Sequence, residues 1–183
     1  GYAEHVPKMI YEDPAHYYPY VRERWGAAPP DFGYKDIIPE FKAENWDPDQ
    51  WARLFAEVGA RYVVLTAEHH DGWANWDSDL TPWNAADMGP KRDIAGEVMQ
   101  AIRRQGIRTV ATFHQYTNWF YFNPGRKLCP PGVDVNDPKY IGLYGPIREY
   151  KGDWQEYPFS EEFQQTWYNR VAEFIDKYQP DQI

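Results

Sequence analysis

The sequence predicts an α/β fold on parallel strands, roughly the first half of a (β/α)8 TIM barrel that is truncated at both ends. Three observations carry that expectation. Segments of helical and strand-like periodicity alternate over residues 46–183, an order that implies a parallel sheet. The strand segments are mostly apolar along their length, as strands buried on both faces require. Long segments rich in Trp, Asn, Asp, Pro and Gly follow each strand, where parallel barrels build their sites. A doubly wound open sheet fits the same alternation, but no glycine-rich phosphate loop follows either strand, and the barrel is favoured.

Each element has its own local cause. Residues 1–45 form a loop-rich lead-in, because Pro7, Pro14, Pro19, Pro29, Pro30 and Pro39 break up any long element. A short amphipathic helix fits between Tyr11 and Trp25, with Tyr17, Tyr20, Val21 and Trp25 on one side. Asp47 is a good N-cap, Pro48 suits the first helical position and Gly59 suits the stop; Trp51, Leu54, Phe55 and Val58 share a face between them. A strand from Arg61 to Thr66 follows. The charged run Lys91-Arg92-Asp93 supplies a cap and solvated charges for a second helix, with Ile94, Val98, Ala101 and Ile102 on its inner face and Gly106 at its end. The strand from Ile107 to Phe113 comes next. Residues 129–156, dominated by Pro, Gly, Asp and Tyr, are expected to form an ordered surface loop. Ser160 opens a third helix with the stripe Phe163, Trp167, Val171, Phe174 and Tyr178, stopped by Pro180. The last residues look like the opening of another strand, and the start at Gly1 rather than Met looks cut as well.

Composition narrows the partners. The formal net charge of −9 over 183 residues argues against nucleic acid, whose binders need a cationic footprint. No apolar run approaches the roughly 20 residues of a membrane span. The single Cys129 excludes an internal disulfide framework and a cysteine-based zinc site. Aromatic residues make up 18% of the chain, with nine Trp and fifteen Tyr, which suits bulky packing and also carbohydrate handling, because aromatic rings stack on the C–H faces of sugars.

The chemistry concentrates after the first strand, in Ala67-Glu68-His69-His70-Asp71-Gly72-Trp73. Packing alone does not ask for two imidazoles between carboxylates at the end of a buried strand. Neutral imidazoles offer one donor and one acceptor each, suited to sugar hydroxyls. His114, at the end of the next strand, is expected at the same mouth. A metal reading uses His69, His70, His114, Glu68 and Asp71, but adjacent residues on extended backbone point to opposite sides and converge only if the loop twists. Trp73, Trp76, Trp83, Trp119 and Phe120 are candidates to wall a pocket. Glu68 and Asp71 are poor candidates for the carboxylate pair of glycoside hydrolysis, which spans a scissile bond at about 5 Å or roughly 6.5–9.5 Å and usually draws on different strands.

In this order and spacing, three strings resemble the α-L-fucosidases of glycoside hydrolase family 29. They are Phe41-Lys42-Ala43-Glu44-Asn45-Trp46-Asp47-Pro48-Asp49-Gln50-Trp51, the run from Gly59 to Gly72, and Asp87-Met88-Gly89-Pro90-Lys91-Arg92-Asp93. The likeness covers essentially the whole chain and implies a (β/α)8 catalytic barrel. It implies that His69 and His70 hold hydroxyls of an α-L-fucosyl unit, with Phe113 or His114 at the next strand end. His5 falls where many members place a Trp against the sugar. Trp76 is a further expected substrate contact. The resemblance implies no metal and no organic cofactor, and it puts the nucleophilic Asp just after Ile183, with the acid/base later still. Residues 1–183 are then part of a retaining exo-glycosidase that removes α-L-fucosyl residues from oligosaccharides or glycoconjugates, expected to be inactive alone. The alternatives are a metal-dependent hydrolase using His69, His70 and His114, and a non-catalytic sugar-binding module.

Overall fold

The architecture follows from local signals wherever helix caps and apolar periodicity agree. A computed structural model describes residues 5–130, 132–147 and 160–183, without the side chains of Tyr116 and Trp119. The lead-in contains α1 (Val6–Glu12), α2 (Pro14–Trp25) and the short α3 (Tyr34–Ile37). Then come α4 (Pro48–Glu57), β1 (Tyr62–Glu68), α5 (Ile94–Arg104) and β2 (Arg108–Phe113). Helix α6 (Asn118–Leu128), the single turn α7 (Ile141–Tyr144) and the long α8 (Glu161–Tyr178) complete the order.

The expected caps form. The Asp47, Asp93 and Ser160 side chains accept from the backbone N–H groups of Gln50, Gly96 and Phe163 at 2.9, 2.9 and 3.2 Å. Each satisfies a donor that the first helical turn leaves open. Strands β1 and β2 pair in parallel, from Tyr62 opposite Arg108 to Thr66 opposite Thr112, and the register slips before Glu68 meets Phe113. A third segment begins beside β2: Gln182 bridges Val110 in parallel, and the Asp181 N–H donates to the Thr109 carbonyl at 2.8 Å. The described residues thus make a small, partial α/β fold.

Helices cover one face of this sheet. Val63 and Leu65 pack with Ala52, Val98, Ala101, Ile102 and Ile107, while Ala67, Ala111 and Phe113 pack with Trp76, Met99 and Phe174. The opposite face of β1 is open, with Tyr62, Val64 and Thr66 exposed. Burial on both faces, the sequence expectation, therefore fails for β1, because no described element packs there. The α4 stripe is corrected for a related reason. Small Ala52 is the residue fully inside, whereas Trp51, Leu54 and Val58 stay largely exposed.

The lead-in is more ordered than its prolines suggested. Pro14 starts α2 rather than ending structure, and the boundary at Asp13 divides the expected single helix into two. Ile10, Tyr11 and Val21 are fully buried, while Tyr20, expected on the inner side, is exposed. Within 129–156 the surface-loop expectation is also corrected where the chain is described. Val133, Val135, Leu143 and Tyr144 lie in the main core, with Tyr11 and Phe122. The close approach of α6 to α1 needs Gly125, since a Cβ there would come within 2.6 Å of the Tyr11 Cβ. Residues 131 and 148–156 of the expected loop lie outside the described residues.

Candidate functional site

Parallel strands present their C-terminal ends on one side, and here that side carries the imidazoles. His69 and His70 leave β1, and His114 leaves β2 with its N–H still donating to the Glu68 carbonyl at 2.9 Å. The chain then twists back at once. The Gly72 N–H reaches the His69 carbonyl at 3.4 Å, and the Asn75 N–H reaches the Ala67 carbonyl at 2.9 Å. Gly72 has φ +79°, and a Cβ on it would come within 2.3 Å of the Leu143 carbonyl oxygen, so only glycine allows this turn. Asn118 holds the turn from behind, its Nδ2 donating to the carbonyls of His70 at 2.8 Å and Leu143 at 2.9 Å.

The twist cancels the divergence expected of adjacent residues. One ligand atom from each of His69, His70 and His114 falls within 4.8 Å of the others, and all three rings are half-buried. Ring centroids stand 4.4 Å apart for His69 and His70, 4.9 Å for His69 and His114, and 5.2 Å for His70 and His114. The His70 Nδ1 lies 2.9 Å from the His114 carbonyl oxygen and is also bonded to the Thr117 hydroxyl. A carbonyl only accepts, so Nδ1 carries the proton and Nε2 of the neutral ring has a free lone pair. Burial is the main influence on His70 and lowers its pKa below the ordinary imidazole value, with His69 and His114 adding to the shift.

Further side chains pack and hydrogen-bond behind the corner. Tyr121 lies tilted 5.6 Å from His70, and His5 meets Tyr121 edge-on at 6.1 Å. His5 is therefore one ring removed from the cluster. The Tyr34 hydroxyl donates to Asp71 at 2.5 Å, and the Trp73 N–H donates to the same carboxylate at 3.3 Å. Burial raises the Asp71 pKa against these hydrogen bonds. Tyr34 in turn donates its N–H to the Tyr11 hydroxyl at 2.9 Å, and Tyr11 donates to Asp134 at 3.0 Å. Tyr144 also donates to Asp134.

The remaining expected residues separate into two groups. Trp76 is corrected: it is 0% exposed, with its Nε1 donating to Glu173 at 2.9 Å and its ring edge-on to Phe174. It packs the helix side of the sheet, out of reach of a ligand at the mouth. Phe113 packs there too, edge-on to Phe174 at 5.2 Å, so strand alternation leaves His114 as the residue of β2 beside His69 and His70. Trp73 is buried, with its Nε1 on Asn75, and Trp83 packs edge-on to Tyr140. The Trp119 side chain lies outside the described residues. Glu68 is fully buried in an ion pair with Arg170 of α8, a partner no local pattern indicated. Burial pulls Arg170 down to about 10. The supports that sequence reasoning missed are Tyr34, Thr117, Asn118 and Tyr121. Thr117 and Asn118 had a signal, since they stand just beyond a strand end; Tyr34 had none.

A parallel α/β sheet with convergent polar rings at its strand ends is the ligand-holding class of such folds. Within that class, the chain belongs to the α-L-fucosidase family, whose family model matches residues 1–183. It is similar to the tissue α-L-fucosidase of Bos taurus, 41% identical over 129 residues, covering 68% of this chain and 27% of that protein. The Mus musculus tissue α-L-fucosidase is 47% identical over 94 residues, 51% of this chain and 21% of the relative. The chain thus spans about a quarter of the length of these relatives. Among solved structures, the Thermotoga maritima α-fucosidase in complex with fucose superposes with a TM-score of 0.70 at 27% identity, covering 98% of this chain and 37% of that one.

Proposed function

We propose that this chain is the sugar-holding part of a retaining exo-α-L-fucosidase acting on fucosylated oligosaccharides or glycoconjugates. The observation that carries the reading is the convergence of His69, His70 and His114 at adjacent parallel strand ends, in a chain of this family. Half-buried imidazoles can give and take hydrogen bonds with a neutral polyol without bringing a fixed charge, and the held Nε2 of His70 accepts from a hydroxyl. His5 acts through Tyr121, and Phe113 backs the corner from within. The strands β1 and β2 and the segment at Gln182 are successive strands of a (β/α)8 barrel in this reading, with residues 1–45 as its lead-in.

Catalysis then divides between holding and bond breaking. The corner fixes the fucosyl ring so that its anomeric carbon meets a nucleophilic carboxylate, and a second carboxyl protonates the leaving oxygen and later activates water. Glu68 and Asp71 are committed to Arg170 and Tyr34, so both catalytic carboxylates come from elsewhere in the intact enzyme. The reaction calls for no metal or organic cofactor. Substituting His70→Ala in the intact enzyme should lower kcat/KM for an aryl α-L-fucoside by about 10²-fold or more, a positioning loss of that order. Unchanged kcat/KM would refute the assignment.

A further inference from the structure

We propose that the same three imidazoles form a site for a divalent first-row metal ion such as Zn²⁺, and that the ion and the fucosyl unit exclude each other. The exclusion rests on the sugar-holding reading above; the ion site rests on geometry alone. Among the described residues, His69, His70 and His114 are the group of three whose ligand atoms gather within 4.8 Å. A tetrahedral zinc with Zn–N bonds of about 2.0–2.1 Å places its nitrogens roughly 3.4 Å apart, so side-chain rotation of about 1 Å closes the set. Imidazole suits zinc, and three protein nitrogens leave a fourth position for water.

The support behind the rings is of the kind a metal ligand needs. A ligating histidine commonly donates its other ring N–H to a backbone carbonyl, which fixes the tautomer and aims the lone pair. His70 does this with its Nδ1 on the His114 carbonyl, while Asn118 holds the His70 main chain. The carbonyl that orients one ligand belongs to the residue that supplies another, so β1 and β2 are tied together behind the ion. Binding is plain ligand exchange, in which three imidazole nitrogens replace three waters of the hydrated ion. The sugar hydroxyls need the same lone pairs, and both cannot have them.

Visible absorption of Co²⁺ titrated into the intact protein tests the site directly, because passage from the six-coordinate hydrated ion to a four-coordinate site of three imidazoles and a water intensifies its d–d bands. The expected result is a saturable one-to-one signal that L-fucose displaces, together with Zn²⁺ raising KM for an aryl α-L-fucoside while leaving kcat unchanged. His114→Ala and the milder His114→Gln should each weaken Co²⁺ at least about tenfold. His16→Ala, at the exposed histidine of α2 beside Asp13, should leave it unchanged and so controls for surface histidines. No saturable signal, or one that survives both His114 variants, overturns the ion site even if L-fucose binds and the functional reading stands. A His114-dependent signal that L-fucose does not displace overturns the exclusion. If L-fucose fails to bind the metal-free protein at all, the sugar-holding reading falls while the Co²⁺ signal still decides the ion site.

Discussion

The sheet half and the lobe beside it are held together by different means. Around β1 and β2, apolar faces of α4, α5 and α8 close over Val63, Leu65, Ala111 and Phe113, and each helix carries its own cap. The lobe formed by α1, α3, α6 and α7 instead centres on a buried polar knot. Asp134 receives the hydroxyls of Tyr11 and Tyr144, whose oxygens lie 2.9 Å apart, and Arg126 donates to the carbonyls of Tyr144 and Gly145. Tyr11 and Asp134 are 123 residues apart in sequence. Local preference builds the first region. The second exists only once distant segments have met. The two join at the functional corner, because Tyr34 takes the knot's order and passes it to Asp71, next to His70.

The largest effect is expected in the sheet half. Trp76→Ala removes a fully buried indole and should cost about 3–5 kcal/mol. Thermal melts would show it, while L-fucose affinity of the folded fraction should hold; a loss of affinity at equal foldedness would return Trp76 to the binding surface. The lobe comes next. Asp134→Ala leaves two buried hydroxyls short of their acceptor, at a cost of about 2–3 kcal/mol. Hydrogen exchange should report it first in α1 and α7; equal loosening around α5 would erase the distinction between the regions. Tyr34→Phe tests the link itself. Losing one hydrogen bond to a carboxylate should cost about 1–2 kcal/mol and raise KM for an aryl α-L-fucoside more than it changes kcat. An unchanged KM would show that the lobe does not position the corner.

The smallest effect is a pH dependence at the junction. Burial lowers the folded pKa of His70 below its ordinary 6.5, so the fold binds fewer protons there than the unfolded chain. That contribution to stability is fully present above pH 6.5 and is lost as the pH falls through the folded value. Asp71 runs the other way. Burial raises its folded pKa above 3.8, so its contribution is present below that pH and lost as the pH rises through the folded value. L-fucose affinity should therefore stay level from pH 8 to 6.5 and fall only under more acidic conditions; a fall centred at 6.5 or above would contradict a depressed His70.

Legibility followed the range of the interactions. Asp47, Asp93 and Ser160 were readable as caps because each bonds a backbone N–H three residues on, and the parallel order of β1 and β2 followed from the alternation. The same periodicity could not say which half of the α4 stripe would be covered, since Trp51 and Leu54 depend on neighbours outside the helix. Trp76 carries the same limit: nothing in its surroundings in sequence distinguishes a ring beside a sugar from one bonded to Glu173, 97 residues away.

What the sequence determined by itself was the family, the starts of the three helices capped by Asp47, Asp93 and Ser160, the two parallel strands and the identity of the three histidines at their ends. The tertiary structure decided whether those rings meet. Extended backbone sends neighbouring side chains apart, and only the turn at Gly72, pressed against Leu143 and held by Asn118, brings His69 and His70 round to His114. That turn is made by contacts between segments far apart along the chain, whose energies come into being only when the fold has closed.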